Sequence, residues 1–226
     1  MIVDARKVDN SAVIESDICI IGGGAAGISI ALQFAATKNA SVVLLESGPE
    51  TLHPATQAMN GGEQIGIAYD DLAASRSRYL GGATNCWGGW CRAMDEWDFQ
   101  ERDWAPNSGW PFGKSELLPY YERSHEVLDL KPYDYDLEHW LTLFNQNDLA
   151  PLPLGGSRLA NMIVHLSAPA RFGKLYGDAL RQAANVKVLL MANATEICTD
   201  RTGATVKEVK VATLSGKRFS VRSKLV

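Results

Sequence analysis

An α/β fold built on a parallel sheet is predicted for this 226-residue chain by three observations. Residues 18–21, Ile-Cys-Ile-Ile, and 42–45, Val-Val-Leu-Leu, are apolar runs without polar alternation, as strands buried on both faces of a parallel sheet require. Between them Gly22, Gly24 and Gly27 spell G-x-G-x-x-G, and 25–37 reads as a helix. Glu46 closes the second run, 22 residues after Gly24. Strand, glycines, helix, strand and acid in this order and spacing define a dinucleotide-binding βαβ unit.

Each part of the unit has a physical role. Gly22 permits the tight turn, Gly24 lets a pyrophosphate approach the backbone, and Gly27 lets helix and strand pack closely. Ala25, Ala26 and Gly27 open the helix, where unpaired amides and the positive dipole end face an anion. Glu46 stands where this fold places a carboxylate on the adenosine ribose hydroxyls, and its charge disfavours a 2′-phosphate. This stretch leaves NAD and FAD both open.

The remaining elements follow in order. Residues 1–16 are polar and mixed and read as an arm leading into the first strand. After the turn cluster at 47–50, residues 51–76 read as an irregular loop interrupted by Pro54, Gly61, Gly62 and Gly66, long enough to point to a ligand-wrapping role. A second glycine stretch has Gly81, Gly82, Gly88 and Gly89 bracketing small and polar residues, where bare amides can lie against a planar or anionic ligand. Five of the six tryptophans fall from Trp87 to Trp110 and are read as core. Residues 115–130 read as an amphipathic helix capped by Ser115, with Leu117, Tyr121, Ser124 and Leu128 on one face and Pro119 tolerable only near the first turn. Residues 131–161, with Pro132, Pro151, Pro153, Gly155 and Gly156, read as a looser, substrate-facing segment. A helix is predicted at 174–184 and a strand at 186–190. Residues 194–200, 206–211 and 219–222 make a β-meander with turns at 200–203 and 214–217. At 223–226 a further strand begins and stops. That unfinished strand, with no placeable catalytic base, reads as the N-terminal portion of a longer enzyme or one chain of a split one.

Together the two glycine stretches resemble the glucose–methanol–choline (GMC) family of FAD-dependent oxidoreductases, in which Gly-Gly-x-Ser/Thr follows the dinucleotide fingerprint. The resemblance rests on Leu80-Gly81-Gly82-Ala83-Thr84, the Glu46-Ser47-Gly48 turn, Trp97-Asp98-Phe99, and Ser108-Gly109-Trp110-Pro111 leading to Leu118-Pro119-Tyr120-Tyr121. It implies a Rossmann-like FAD-binding domain, with parallel sheet and β-meander, in residues 1–99 and 166–226. An inserted substrate-binding segment at 100–165 interrupts it. It also implies FAD, with phosphates at the amides after Gly22, ribose at Glu46, adenine at the Ala194 backbone, and the flavin at Gly81, Gly82, Thr84, Asn85, Cys86 and Trp87. Ser47 and Arg78 join this set.

The implied reaction is oxidation of an alcohol CH–OH group by hydride transfer to flavin N5, with the catalytic residues expected beyond Val226. The Asn85-Cys86-Trp87 step is most like the sugar-oxidising branch, where a His-Trp pair follows the glycines, so a sugar or glycoside is the preferred substrate. Some members attach FAD through that histidine. Cys86 in its place is read as a small hydrophobe filling the imidazole's space, so FAD is expected to be non-covalent. The competing readings are a cofactor-binding module without activity and an NAD-dependent dehydrogenase, which has no need of the second glycine stretch.

Bulk properties bound the remainder. A hydrophobic content of 46% supports a substantial core. The formal charge of -4 and pI near 5.6 offer no basic face to nucleic acid or an anionic membrane, and no run of about 18 apolar residues suggests a span. Four cysteines without a C-x-x-C pair indicate neither a disulfide scaffold nor a zinc site, and fit a reducing cytoplasm. His53, His125, His139 and His165 lie too far apart for a metal motif. The expected partners are a small-molecule alcohol or sugar, an electron acceptor, and the remainder of the enzyme or a complementing chain.

Overall fold

The computed structural model describes residues 1–130, 132–144, 150–154 and 158–226. In chain order its elements are β1 (Ile2–Asp4), β2 (Val13–Ile21), α1 (Ala25–Thr37), β3 (Val42–Leu45), α2 (Pro54–Gln57), α3 (Leu72–Ser75), β4 (Trp90–Cys91), α4 (Lys114–Val127), α5 (Leu137–Phe144), β5 (His165–Leu166), α6 (Phe172–Gln182), β6 (Val186–Leu190), β7 (Asn193–Thr199), β8 (Val206–Ala212) and β9 (Arg218–Leu225). They fall into two compact units, one of Met1–Trp87 with Arg171–Val226 and one of Gly88–Ala170.

In the first unit, seven strands among the described residues form one sheet in the order β1-β6-β3-β2-β9-β8-β7. The pairs from β1 to β9 are parallel, and β9-β8-β7 is an antiparallel meander. The predicted βαβ unit is present with α1 and β3 at their expected limits. All four residues of β3 are buried, as a strand covered on both faces demands. Cys19, Val43, Leu45 and Leu189 share one core layer with Val209, Val211, Phe219 and Val221 of the meander. On the helical side, Ile28 and Ala31 of α1 and Leu180 of α6 are fully buried, and α1 packs on α6 and β3.

Two expectations are corrected here. Residues 1–16 are not an arm. Ile2 and Val3 pair with Val188 and Leu189 as an edge strand, and Val13 to Ser16 extend β2 against Ser220 to Ser223. A three-residue edge strand is too short to carry a period, and Glu15 and Ser16 break the apolar run where the sheet reaches its margin. Likewise 219–222 and 223–226 are one strand, β9, which closes the meander on β8 and continues the parallel sheet beside β2.

The second unit has little regular structure. Its β4–β5 ribbon pairs Trp90 with Leu166 and Cys91 with His165. Helix α4 starts at Lys114 behind Gly113, not behind a Ser115 cap, and Pro119 lies within its second turn, where its missing N–H leaves the Ser115 carbonyl without a helical donor. The predicted face is retained: Leu117, Tyr121, Ser124 and the C-cap residue Leu128 are half-buried, and His125 beside them is buried. Within 131–161, read as loose, α5 forms from Leu137-Glu-His-Trp-Leu-Thr-Leu-Phe144. Gly155 and Gly156 of that stretch lie outside the described residues.

Four of the five tryptophans read as core are not, and Trp87 is half-buried. Trp90, Trp97, Trp104 and Trp110 are 70%, 54%, 73% and 53% exposed. The chain around them offers only a two-residue strand and one 3-10 turn (Glu96–Phe99), so no apolar layer exists to receive them. They stack locally instead. The Arg102 guanidinium lies over the rings of both Trp97 and Trp104, at 5.6 and 5.5 Å, and Trp110 packs on Phe99 and Phe112. Polar side chains hold the interior: His125 Nε2 lies 3.1 Å from the Tyr135 hydroxyl, His165 Nε2 lies 2.7 Å from the Asp134 carbonyl, and Ser167 Oγ donates to the Leu128 carbonyl.

Candidate functional site

The site is assembled at the carboxyl ends of β2 and β3, where open α/β sheets hold their ligands. Gly22 leaves β2 with φ of 104°, a left-handed conformation that favours glycine, and its N–H donates to the Leu45 carbonyl. A Cβ on Gly27 would lie 2.0 Å from the Gly22 carbonyl oxygen and 3.2 Å from Ile20, so only glycine allows α1 to sit this close to β2. A Cβ on Gly24 would meet nothing within 4 Å. No side chain caps α1, whose first residues are Ala25, Ala26 and Gly27. Uncapped amides beside an open backbone are what a pyrophosphate needs.

Glu46 is buried at 5% exposure and binds the turn itself. Its Oε2 accepts from the Gly23 N–H at 2.8 Å, and its Oε1 accepts from the Gly48 N–H at 2.8 Å and from Ser47 Oγ at 3.4 Å. The carboxylate therefore ties the fingerprint turn to the end of β3 before any ligand arrives. Beside it, Arg78 Nη1 donates to Ser47 Oγ at 3.3 Å and Nε to Asn60 Oδ1 at 2.8 Å. The amides of Ala192 and Met191 donate to the carbonyls of Glu46 and Gly48, and Ala194 lies two residues further along, on β7.

The second glycine stretch docks on the first. The Gly81 N–H donates to the Gly23 carbonyl at 2.7 Å, and a Cβ on Gly82 would stand 3.0 Å from the Gly24 Cα. Gly81 and Gly82 have φ of 101° and 53°, so the loop needs glycine for its backbone as well as its contacts. Gly23 is the junction of the three parts: its amide binds Glu46, its carbonyl binds Gly81, and a Cβ there would lie 2.9 Å from Glu46 Oε2. Thr84 is committed internally, donating from Oγ1 to the Gly81 carbonyl and accepting from the Phe172 N–H. Asn85 Nδ2 donates to the Leu80 carbonyl.

Cys86 departs from expectation, being exposed and not a buried filler. It caps the 3-10 turn Gly82–Asn85, and its thiol donates to the Ala83 carbonyl while accepting from Ser77 Oγ. Trp87 carries a buried indole N–H with no hydrogen-bond partner. A buried donor left unpaired at the end of the second glycine loop is a candidate partner for a ligand acceptor. Uncapped amides, an open Gly24, a buried acid and this orphaned N–H fit an adenine dinucleotide carrying a flavin.

The residues predicted for the site omit Gly23, Arg171 and Gly173, and Gly48 entered only as part of the Glu46-Ser47-Gly48 turn. The triple glycine at 22–24 was the available signal for the first. A Cβ on Gly48 would lie 2.0 Å from the Arg78 carbonyl oxygen, and one on Gly173 2.2 Å from that of Leu80. The Gly48 and Gly173 contacts join segments far apart in sequence and leave no local trace.

The second unit holds an apolar cavity of about 470 Å³ lined by Leu137, Trp140, Phe144, Ile163 and His165 among others. A smaller one of about 230 Å³ is lined in part by Cys91, Arg92, His125, Tyr133 and Tyr135. Burial pushes the phenols of Tyr133 and Tyr135 and the Cys91 thiol upward, which keeps all three protonated near neutrality. Among the described residues no group of His, Cys, Asp and Glu could hold a metal ion, and no helix is long and apolar enough to cross a membrane.

Comparison with known proteins agrees with this geometry. No curated protein matches the sequence significantly. Among solved structures, a formate oxidase superposes with a TM-score of 0.56 at 16% identity, covering 97% of this chain and 46% of its own. Pyridoxine 4-oxidase from Mesorbium loti superposes with a TM-score of 0.56 at 18% identity, covering 92% and 48%. At such identities the likeness establishes the fold, and this chain spans about half the length of those structures. The model of the FAD dependent oxidoreductase family matches residues 17–226. The chain therefore belongs to the FAD-dependent oxidoreductase family, with FAD as its cofactor.

Proposed function

We propose that this chain is the FAD-binding part of a GMC-type oxidoreductase that oxidises a CH–OH group, with a sugar or glycoside as substrate. The observation that carries this reading is the junction at Gly23, where the second glycine loop closes on the fingerprint turn through the 2.7 Å bond from Gly81. A nicotinamide site needs no such loop, and the family match is to an FAD-dependent model. The Asn85-Cys86-Trp87 step supports the sugar branch.

Bound FAD supplies the hydride acceptor, and the protein supplies position and electrostatics. The amides of Ala25, Ala26 and Gly27 receive the pyrophosphate at the positive end of α1. Glu46 keeps a lone pair on Oε2 for a ribose hydroxyl while holding Gly23 and, through Oε1, Gly48 and Ser47. The Ala194 backbone takes the adenine. Gly22 sets the turn. Gly81, Gly82, Asn85, Cys86 and Trp87 border the flavin, Thr84 shapes their loop, and Ser47 and Arg78 wall the ribose side. The unit Gly88–Ala170 is the substrate-facing insertion, and its apolar cavity suits the aglycone of a glycoside better than a bare sugar. The base that takes the hydroxyl proton comes from further chain, an acceptor carries the electrons onward, and the setting is cytoplasmic.

Non-covalent FAD is part of the proposal, because the Cys86 thiol is turned to Ala83 and Ser77. Anaerobic addition of sugars, glycosides and simple alcohols to the FAD-loaded protein at its natural length is expected to bleach the visible flavin band with at least one of them. A protein that holds FAD and is bleached by none sinks the alcohol reading. Acid precipitation checks attachment: colour stays in the supernatant if FAD is non-covalent, whereas pellet fluorescence lost in Cys86→Ala overturns that part.

A further inference from the structure

The first turn of α6 belongs to neither glycine stretch, yet it grips the second at several points. Arg171 Nη1 donates to the Thr84 carbonyl at 2.7 Å and to the Trp87 carbonyl at 3.1 Å. The Phe172 N–H donates to Thr84 Oγ1 at 3.1 Å, and Gly173 is pressed so near Leu80 that any Cβ would collide. We infer that Arg171 is a positioning residue for the cofactor, a clasp that sets the 84–87 turn and with it the buried Trp87 indole N–H that awaits an acceptor. The inference rests on the FAD reading of the site.

Two physical points favour a clasp over incidental packing. Arg171 is the N-cap of α6, where the helix dipole disfavours a cation and the side chain makes no capping bond. Two charge-assisted bonds to carbonyls offset that placement. The two carbonyls are also three residues apart on one turn, and a single nitrogen bridging them fixes the turn's pitch. The planar guanidinium holds that nitrogen's N–H groups in a fixed plane, which a freely rotating ammonium does not. The same turn carries the amides of Cys86 and Trp87, both bonded to the Ala83 carbonyl, so its order is readable without any ligand.

The test compares Arg171→Met and Arg171→Lys in the whole chain. Hydrogen exchange at the Cys86 and Trp87 amides, measured without FAD, is expected to speed up at least tenfold in Arg171→Met, with the urea midpoint little changed. FAD affinity, followed by flavin fluorescence, is expected to fall about tenfold or more, since bonds from a charged donor are the stronger kind, and the bound flavin's visible band is expected to lose fine structure. Arg171→Lys should recover part of each. If Arg171→Met does not fold, Arg171→Lys alone carries the test with smaller shifts in the same directions. Wild-type exchange, affinity and band shape in either folded variant overturn the inference. Failure of the wild-type chain to bind FAD instead overturns the cofactor reading, and the exchange rates then show whether the clasp exists.

Discussion

The two units of this chain hold themselves together by different means. In the first, backbone ladders are satisfied within the sheet and aliphatic side chains such as Leu44, Leu45, Val186, Val188 and Val209 fill both of its faces. In the second, the buried residues among those described are Gly89, Phe99, His125, His165, Ser167 and Ala170, and side-chain bonds replace the ladders. An aliphatic layer tolerates changes that keep its volume, whereas a buried polar network loses more than one bond's worth when any member is removed. The site follows the same division. The groups proposed to bind the cofactor are mostly backbone amides and glycines of the first unit, while the second offers cavities bounded by aromatic and polar side chains.

The sharpest way to break the first unit is through its backbone contacts. Gly27→Ala puts a methyl 2.0 Å from the Gly22 carbonyl and should cost about 3 kcal/mol or more, read as a lower urea midpoint. A near-neutral result would mean that α1 does not sit this close to β2. In the second unit the sensitive point is a side chain. His125→Ala removes the Tyr135 bond and ring contacts to Tyr133 and His165. It should cost about 2–3 kcal/mol, followed by tryptophan fluorescence because five of the six indoles lie in residues 88–170. A change below about 0.5 kcal/mol would show that the polar interior is not what holds this unit.

A smaller effect separates sheet electrostatics from packing. The Lys224 ammonium bonded to Asp17, with the Ser41 amide and hydroxyl, holds the Asp17 carboxyl well below the usual carboxylate range. Since the folded state has the lower pKa, the contribution is complete above the ordinary range near pH 4 and is lost as the pH falls below it. Asp17→Asn should therefore flatten the acid limb of a plot of urea midpoint against pH. An unchanged limb would show the pair to be unimportant.

The same division decides what could be read in advance. Helix α1 and strand β3 were legible to the residue because apolar runs, glycines and acid all reported one local arrangement. Edge strand β1 was not, since three residues carry no period. Helix α5 was hidden because prolines and glycines surround it and it is only eight residues long, although Leu137, Trp140, Leu141 and Phe144 stand at helical spacing. Tryptophans 90 to 110 misled, because large apolar side chains are core only where a layer exists to receive them. Within the site, glycine positions were readable from spacing, whereas the tie from Arg171 to Thr84 and Trp87 depends on tertiary closure that no local pattern reports.

The central claim is that the two glycine stretches form one flavin cradle. The most direct measurement titrates the chain with FAD, and separately with NADH, while following visible absorption and flavin fluorescence, for the native sequence and for Gly82→Ala. Gly82 has φ of 53° and its Cβ would meet Gly24 at 3.0 Å, so alanine there pushes the loop off the fingerprint turn. Saturable FAD binding, no competition from NADH, and affinity weakened about tenfold in Gly82→Ala, roughly 1.4 kcal/mol, are the expected results. Tight NADH binding without flavin binding, or FAD affinity untouched by Gly82→Ala, would contradict the account.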